Sequence, residues 1–179
     1  DNVTCSGVDL WFTDKPADGK NGTYGDIIYS DRAQKLINAY NSSTGNNKPL
    51  FMYLATQVCH GPIEAPQSYI DKFNASWNQA QRTYAAMANF ADEVVGNVTR
   101  ALKETNMWDN TLLFITSDNG GPVGAANNTP LRGGKFSNFQ GGVNVIGMIS
   151  GGYLPKHRRG TRLNGTIHIA DWYATICSI

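Results

Sequence analysis

The sequence predicts an α/β domain with a mostly parallel sheet flanked by helices, and three observations lead there. Apolar runs at Leu50–Thr56, Thr111–Thr116 and Val143–Ile149 are continuous rather than alternating, as in strands covered on both faces. A long stretch from Ala80 to Thr105 repeats apolar residues at helical spacing. Runs and helical stretches alternate along the chain, the order of strands joined by crossover helices.

Each element has its own local reason. Residues 1–25 are rich in Gly, Asn and Asp and read as loop. From Ser30 to Tyr40, the residues Ala33, Leu36, Ile37 and Tyr40 fall on one helical face, with Ser30 or Asp31 as the cap. The Asn/Ser/Gly run at 41–47 ends that helix. Leu50–Thr56 is the first strand, and the Gly- and Pro-punctuated loop His60–Pro66 follows it. Tyr84, Met87, Ala88, Ala91, Val94, Val95, Val98 and Leu102 trace one stripe along the second helix. Trp108–Asn110 makes a turn into the second strand. The stretch 118–142 is too long and too rich in Gly and Asn for a simple connection, which marks a functional loop. Val143–Ile149 forms the third strand and His168–Ile176 a last short helix. No repeat or second domain is visible.

Composition narrows the function. With 179 residues the chain is one domain or a piece of a larger one, and 41% hydrophobic with 11% aromatic residues suffice for a core. Fifteen Lys and Arg against fourteen Asp and Glu leave +1, so the overall charge gives no reason to expect nucleic acid or an anionic membrane as partner. No apolar run approaches the roughly 18 residues of a membrane span. Asn2, Asn21, Asn41, Asn74, Asn97, Asn127 and Asn164 each open an Asn-x-Ser/Thr sequon. Chance predicts roughly two or three from this composition, so the excess points to a glycoprotein of the secretory pathway. Three cysteines, Cys5, Cys59 and Cys177, leave at least one without a partner in the chain. Cys59, at the end of an apolar run, reads as a buried small hydrophobe. The first residue is Asp1, with neither initiator Met nor signal sequence, so further residues are expected before it.

The chemistry is expected on two loops leaving the carboxyl ends of strands. One carries His60. The other carries Asp118-Asn119-Gly120-Gly121 and then Leu131-Arg132-Gly133-Gly134-Lys135. Asp118 and Asn119 offer hard oxygen donors that suit calcium or magnesium rather than zinc. On spacing alone, a turn in which both side chains bond local backbone is the simpler reading. By the same measure His60 is a loop histidine and Lys135 a solvated lysine.

The stretch Ser117–Gly142, with Ser-Asp-Asn-Gly-Gly, Pro-Leu-Arg-Gly-Gly-Lys and Gln-Gly-Gly-Val, resembles the sulfatase family, and within it the arylsulfatase B (N-acetylgalactosamine-4-sulfatase) branch. Further blocks match in order: Lys48–Ala55 with His60-x-Pro62 and Ala65-Pro66, Asp92–Thr99, and Ile167–Trp172. The resemblance implies an alkaline-phosphatase-like fold and hydrolysis of sulfuric esters on sulfated sugars, glycosaminoglycans among them, in a lysosomal or secreted setting. It implies that Asp118 and Asn119 are calcium ligands and that His60 and Lys135 contact the sulfate. Arg132 is expected to anchor its loop, His168 and Asp171 to pack and cap the last helix, and His157 to be solvated.

The family's nucleophile, a formylglycine made from a Cys/Ser-x-Pro-x-Arg motif, has no counterpart here, because none of the three cysteines opens that pattern. The aspartate pair that completes the calcium site is likewise missing. The resemblance therefore implies that residues 1–179 are the central to C-terminal part of a catalytic domain. The nucleophile region and the smaller C-terminal domain lie outside the chain, which alone is not expected to turn over substrate. It also implies that Cys5 pairs upstream. Two other readings stand beside this one: a catalytically silent glycoprotein that binds sulfated glycans, and a related metal-dependent phosphoryl hydrolase.

Overall fold

The computed structural model describes residues 7–42 and 48–179. Nine elements follow in order: β1 (Trp11–Phe12), β2 (Lys15–Pro16), α1 (Gly25–Ser42), α2 (Gln67–Ile70), α3 (Gln79–Glu104), β3 (Leu113–Thr116), α4 (Gln140–Val143), β4 (Gly147–Ser150) and α5 (Asp171–Cys177). Single 3-10 turns sit at Trp108–Asn110 and Lys156–Arg158.

The 26-residue helix α3 is the backbone of the molecule. Asn78 caps its start by accepting a hydrogen bond from the Gln81 amide at 2.9 Å. Its end is a Schellman closure. Asn106 takes the left-handed conformation at φ 58°, its amide bonds Lys103 O at 3.1 Å, and the Met107 amide reaches Leu102 O at 2.9 Å. The closure brings Met107 against Leu102 in a core built from Ala33, Ile37, Val98, Ala101 and Leu102. Ala33 and Ile37 come from α1, so the two helices share one apolar seam, and burial of Ile37 alone stabilises by about 1.5–3 kcal/mol. Nearer the middle of α3, Phe90 meets Tyr24 and Tyr69 edge-to-face at 5.2 and 5.1 Å.

Several elements depart from the sequence expectation. α1 begins at Gly25, five residues before the expected cap, so Asp26 falls in its first turn. A two-residue hairpin, β1 with β2, lies within the stretch expected as loop. Leu50–Thr56 forms no strand. Met52 and Leu54 pack on the α1–α3 core while Phe51 and Tyr53 are 73% and 85% exposed. A continuous apolar run reads as a strand, yet a strand needs a hydrogen-bonded neighbour, and among the described residues none lies alongside.

The second and third expected strands do pair. β3 runs antiparallel to β4 with Leu113 opposite Ser150 and Thr116 opposite Gly147. The α/β class stands, but the strand pair within the described residues is antiparallel, not the parallel neighbour relation that continuous apolar runs suggest. Both strands are only partly covered, with Trp172 of α5 edge-on to Phe114 at 5.4 Å. The third strand itself starts at Gly147 rather than Val143, which instead ends the single turn α4. The last helix starts at Asp171, whose carboxylate accepts from the His168 amide at 2.8 Å. His168 and Asp171 therefore bond amides of the turn leading into the helix rather than capping its first-turn amides, and both are exposed rather than packed. No helix among the described residues is long and apolar enough to cross a membrane.

Candidate functional site

At the carboxyl end of β3 the chain enters a knot of three glycine pairs. The Gly120 amide donates to Gly142 O at 2.9 Å, the Lys135 amide to Gly121 O at 3.0 Å, and the Gly141 amide to Arg132 O at 2.8 Å. These are approaches that only glycine permits: a Cβ on Gly120 would overlap Gly141 O, and one on Gly142 would overlap Ser137 O. Asn128 ties the knot from inside. Its Oδ1 accepts from the Gly121 amide at 3.0 Å, and its Nδ2 donates to Gly121 O at 2.9 Å and Gly133 O at 3.2 Å. The result draws Asp118-Asn119 and Lys135, sixteen residues apart, onto one frame.

On that frame Asp118 is exposed and its Oδ1 accepts from the Asn119 amide at 2.8 Å. Asn119 directs its Nδ2 to Gly120 O at 3.0 Å. Asp118 Oδ2 and Asn119 Oδ1 remain, two hard oxygens of the kind calcium takes. They fit in chemistry but are two of roughly six to eight ligands. Among the described residues no group of three or more His, Cys, Asp or Glu is gathered.

Lys135 is half-buried, with Nζ 5.5 Å from the centre of the Phe136 ring, and has no carboxylate partner among the described residues. Phe136 is almost wholly exposed at φ 73°. Arg132 anchors its loop, its guanidinium 3.9 Å over the Phe139 ring. His157 is exposed.

His60 lies on the second loop, exposed, with Nδ1 2.8 Å from Gly61 O. A carbonyl can only accept, so Nδ1 carries the proton and Nε2 is the atom left for a ligand. Two residues that sequence patterns did not single out position this loop. Asp26, 1% exposed, accepts from the Gln57 amide at 3.0 Å and from Val58. Tyr84 of α3 bonds the Cys59 thiol, lies close enough to Asp118 to feel its charge, and stands beside Gly121. It bridges the histidine loop and the glycine knot. Tyr84 reads as one more member of the apolar stripe, and Asp26 is hidden by the late helix start. An acid in a helix first turn is the one signal that could have marked it.

Burial sets the electrostatics of this junction. Tyr84 is pushed up to about 12, by desolvation first and then by Cys59 and Asp118. Burial raises Cys59 to about 11, partly countered by the Tyr84 hydrogen bond. Cys59 is half-buried and unbridged, with a polar neighbour rather than a purely apolar shell. Burial also raises Asp26, against the lowering by its two backbone donors. A carboxyl whose folded value exceeds its unfolded one binds more protons when folded, so its contribution to stability falls as pH rises from the ordinary carboxylate range through the folded value. Asp26→Asn removes that component. The difference in Tm between variant and wild type is expected to shift in the variant's favour across that window, and a difference flat with pH refutes it.

Of the sequon residues, Asn21, Asn74, Asn127 and Asn164 are exposed. Asn74 and Asn127 accept from the amide two residues on, at 2.9 and 3.0 Å. Asn97 lies within α3 with Nδ2 donated to the buried Ser30 hydroxyl at 3.2 Å, an interhelical bond. Asn2 and Cys5 lie outside the described residues, as does the side chain of Asn41.

Comparison with known proteins gives this geometry a setting. The sulfatase family model matches residues 4–179, nearly the whole chain. The chain belongs to the sulfatase family. Arylsulfatase J of Mus musculus is 36% identical over 181 residues, covering 100% of this chain and 29% of that protein. N-acetylgalactosamine-6-sulfatase of Homo sapiens is 30% identical over 101 residues, covering 53% of the chain and 18% of that protein. The crystal structure of Ps i-CgsB in complex with k-i-k-neocarrahexaose superposes with a TM-score of 0.67 at 34% identity, over 76% of this chain and 29% of that one. This sulfatase chain therefore spans less than a third of these relatives. Its fold is part of the alkaline-phosphatase-like sulfatase fold.

Proposed function

We propose that the protein is a sulfuric ester hydrolase of the arylsulfatase B type, acting on sulfated sugars such as glycosaminoglycans in a lysosomal or secreted setting. The observation that carries this reading is the glycine knot, which holds on one frame two oxygen donors and an ammonium with no carboxylate partner among the described residues. That pairing suits a sulfate ester, an anion whose bridging oxygen gains charge as the S–O bond breaks.

Lys135 binds the sulfate oxygens and offsets the charge that grows on them. His60, with Nδ1–H committed to Gly61 O, leaves Nε2 free, and as an imidazolium carrying a second proton there it donates that proton to the leaving oxygen. Tyr84, kept neutral, and Asp26 hold the two loops in register. Asp118 and Asn119 would hold calcium with ligands from elsewhere in the protein, and the ion would supply further positive charge at the sulfate. A formylglycine upstream of this chain would supply the nucleophile.

The test is hydrolysis of a small aryl sulfate by the full-length protein before and after calcium chelation. Chelation is expected to abolish turnover, and Asp118→Ala to raise the calcium concentration needed for half-maximal rate on the order of tenfold or more. Turnover that ignores chelation refutes the metal's role. A folded, calcium-loaded protein that binds sulfated glycan without hydrolysing any ester refutes the hydrolase reading.

A further inference from the structure

The net charge of +1 conceals a segregation. Six of the fifteen Lys and Arg and none of the fourteen Asp and Glu fall between Asn119 and Ala170, so this stretch carries +6 and the remainder −5. Arg132 and Lys135 belong to the candidate site. The other four, Lys156, Arg158, Arg159 and Arg162, lie with His157 in seven consecutive residues.

Those seven are at the opposite end of the strand pair. The candidate site leaves β3 after Thr116, whereas the basic loop follows β4 beyond Ser150, which pairs with Leu113 at the start of β3. The loop is also shaped. Arg159 turns back to donate through Nε to Leu154 O at 3.0 Å and through NH2 to Gly152 O at 2.8 Å. The Gly152 amide bonds Trp108 O at 3.0 Å, and the Thr161 hydroxyl bonds Arg158 O at 2.7 Å. Arg159 thus fixes a 3-10 turn that displays Lys156, His157 and Arg158, with Arg162 just beyond, all exposed. None of the side chains of Lys156, Arg158 and Arg162 has an acidic partner among the described residues. Like charges gathered on a fixed turn repel one another, and a bound polyanion relieves that repulsion with release of its counterions.

We propose that the loop Lys156–Arg162 is an accessory binding site for polysulfated sugar chains, separate from the candidate catalytic site. It extends the reading above, since it takes the substrate to be sulfated, but requires no turnover. A chain held at this loop raises the local concentration of ester groups near Lys135.

The experiment measures binding of a polysulfated heparin hexasaccharide to the full-length protein across a salt series, with aryl sulfate hydrolysis followed separately. Lys156→Ala/Arg158→Ala/Arg162→Ala is expected to weaken hexasaccharide binding roughly tenfold to a hundredfold and to flatten its salt dependence. Tm and aryl sulfate turnover stay unchanged, and Lys156→Arg/Arg158→Lys/Arg162→Lys keeps the binding. Equal binding by wild type and the alanine variant overturns the proposal. So does equally tight binding of single-stranded DNA of matched charge, which would make the loop a general polyanion surface. Loss of aryl sulfate turnover in the wild type, with hexasaccharide binding intact, refutes the hydrolase reading alone.

Discussion

Lys135→Ala in the full-length protein is expected to lower sulfate-ester turnover by on the order of a hundredfold or more, the usual cost of losing one group that stabilises transition-state charge. The geometry explains why so much rests on one side chain. Lys135 is half-buried, its amide is bound to Gly121 O, and no carboxylate among the described residues competes for its ammonium. Partial shielding from water strengthens its attraction for an anion relative to a fully solvated lysine. The loss should fall on kcat, with a smaller change in KM, because charge on the ester oxygens grows towards the transition state. Lys135→Arg keeps the charge but spreads it over a planar fork, and is expected to recover only part of the rate. Near-normal turnover by the alanine variant removes Lys135 from the reaction.

Gly120→Ala is expected to be strongly damaging. The new Cβ meets the Gly141 carbonyl oxygen, a backbone atom that cannot rotate away, so one strand of the knot has to move. Overpacking of this kind costs about 1–3 kcal/mol. In a chain of 179 residues that corresponds to several degrees in Tm. Turnover should fall further than stability, since the displaced residue directly follows Asp118-Asn119 and its amide is tied to Gly142 O. Gly96→Ala is the control. Gly96 sits within α3 with open space where a Cβ would go, so alanine there is expected to stabilise by up to about 1 kcal/mol and leave turnover alone. Equal Tm and equal rates for Gly120→Ala and wild type would show that the knot yields without consequence.

How much of this could be read beforehand varies by element. The α3 helix was legible because an amphipathic helix repeats its apolar residues whatever it packs against, and the observed Gln79–Glu104 agrees with the expected span within a residue or two. Its buried face, however, runs through Thr83, Ala86, Met87, Phe90, Val94, Val98, Ala101 and Leu102, and Ala88 of the expected stripe is exposed. The Asp118 and Lys135 motifs were legible through resemblance, since their residue types and order are local. Leu50–Thr56 was misread because apolar continuity reports burial, not a hydrogen-bonded neighbour. Met52 and Leu54 do pack on the core, yet no strand lies beside them among the described residues. The antiparallel relation of β3 and β4 was equally out of reach, because strand direction depends on where the intervening loop returns the chain. Asp26 and Tyr84 show the limit most clearly. Each looks ordinary in its own segment, an acid at a helix start and an aromatic in a stripe. Their importance lies in bonds to Gln57 and Cys59, 31 and 25 residues away.

By itself the sequence determined the α/β class, the long amphipathic helix and the family to which the chain belongs. All of these follow from residue type and short-range order, which survive without coordinates. Only the tertiary structure decided which donors share a frame, which loop Asp26 and Tyr84 brace, and that the basic loop lies at the far end of the strands from Lys135. Those are distances between segments remote in the chain, and they are set by backbone approach at the glycine pairs and by packing on α3.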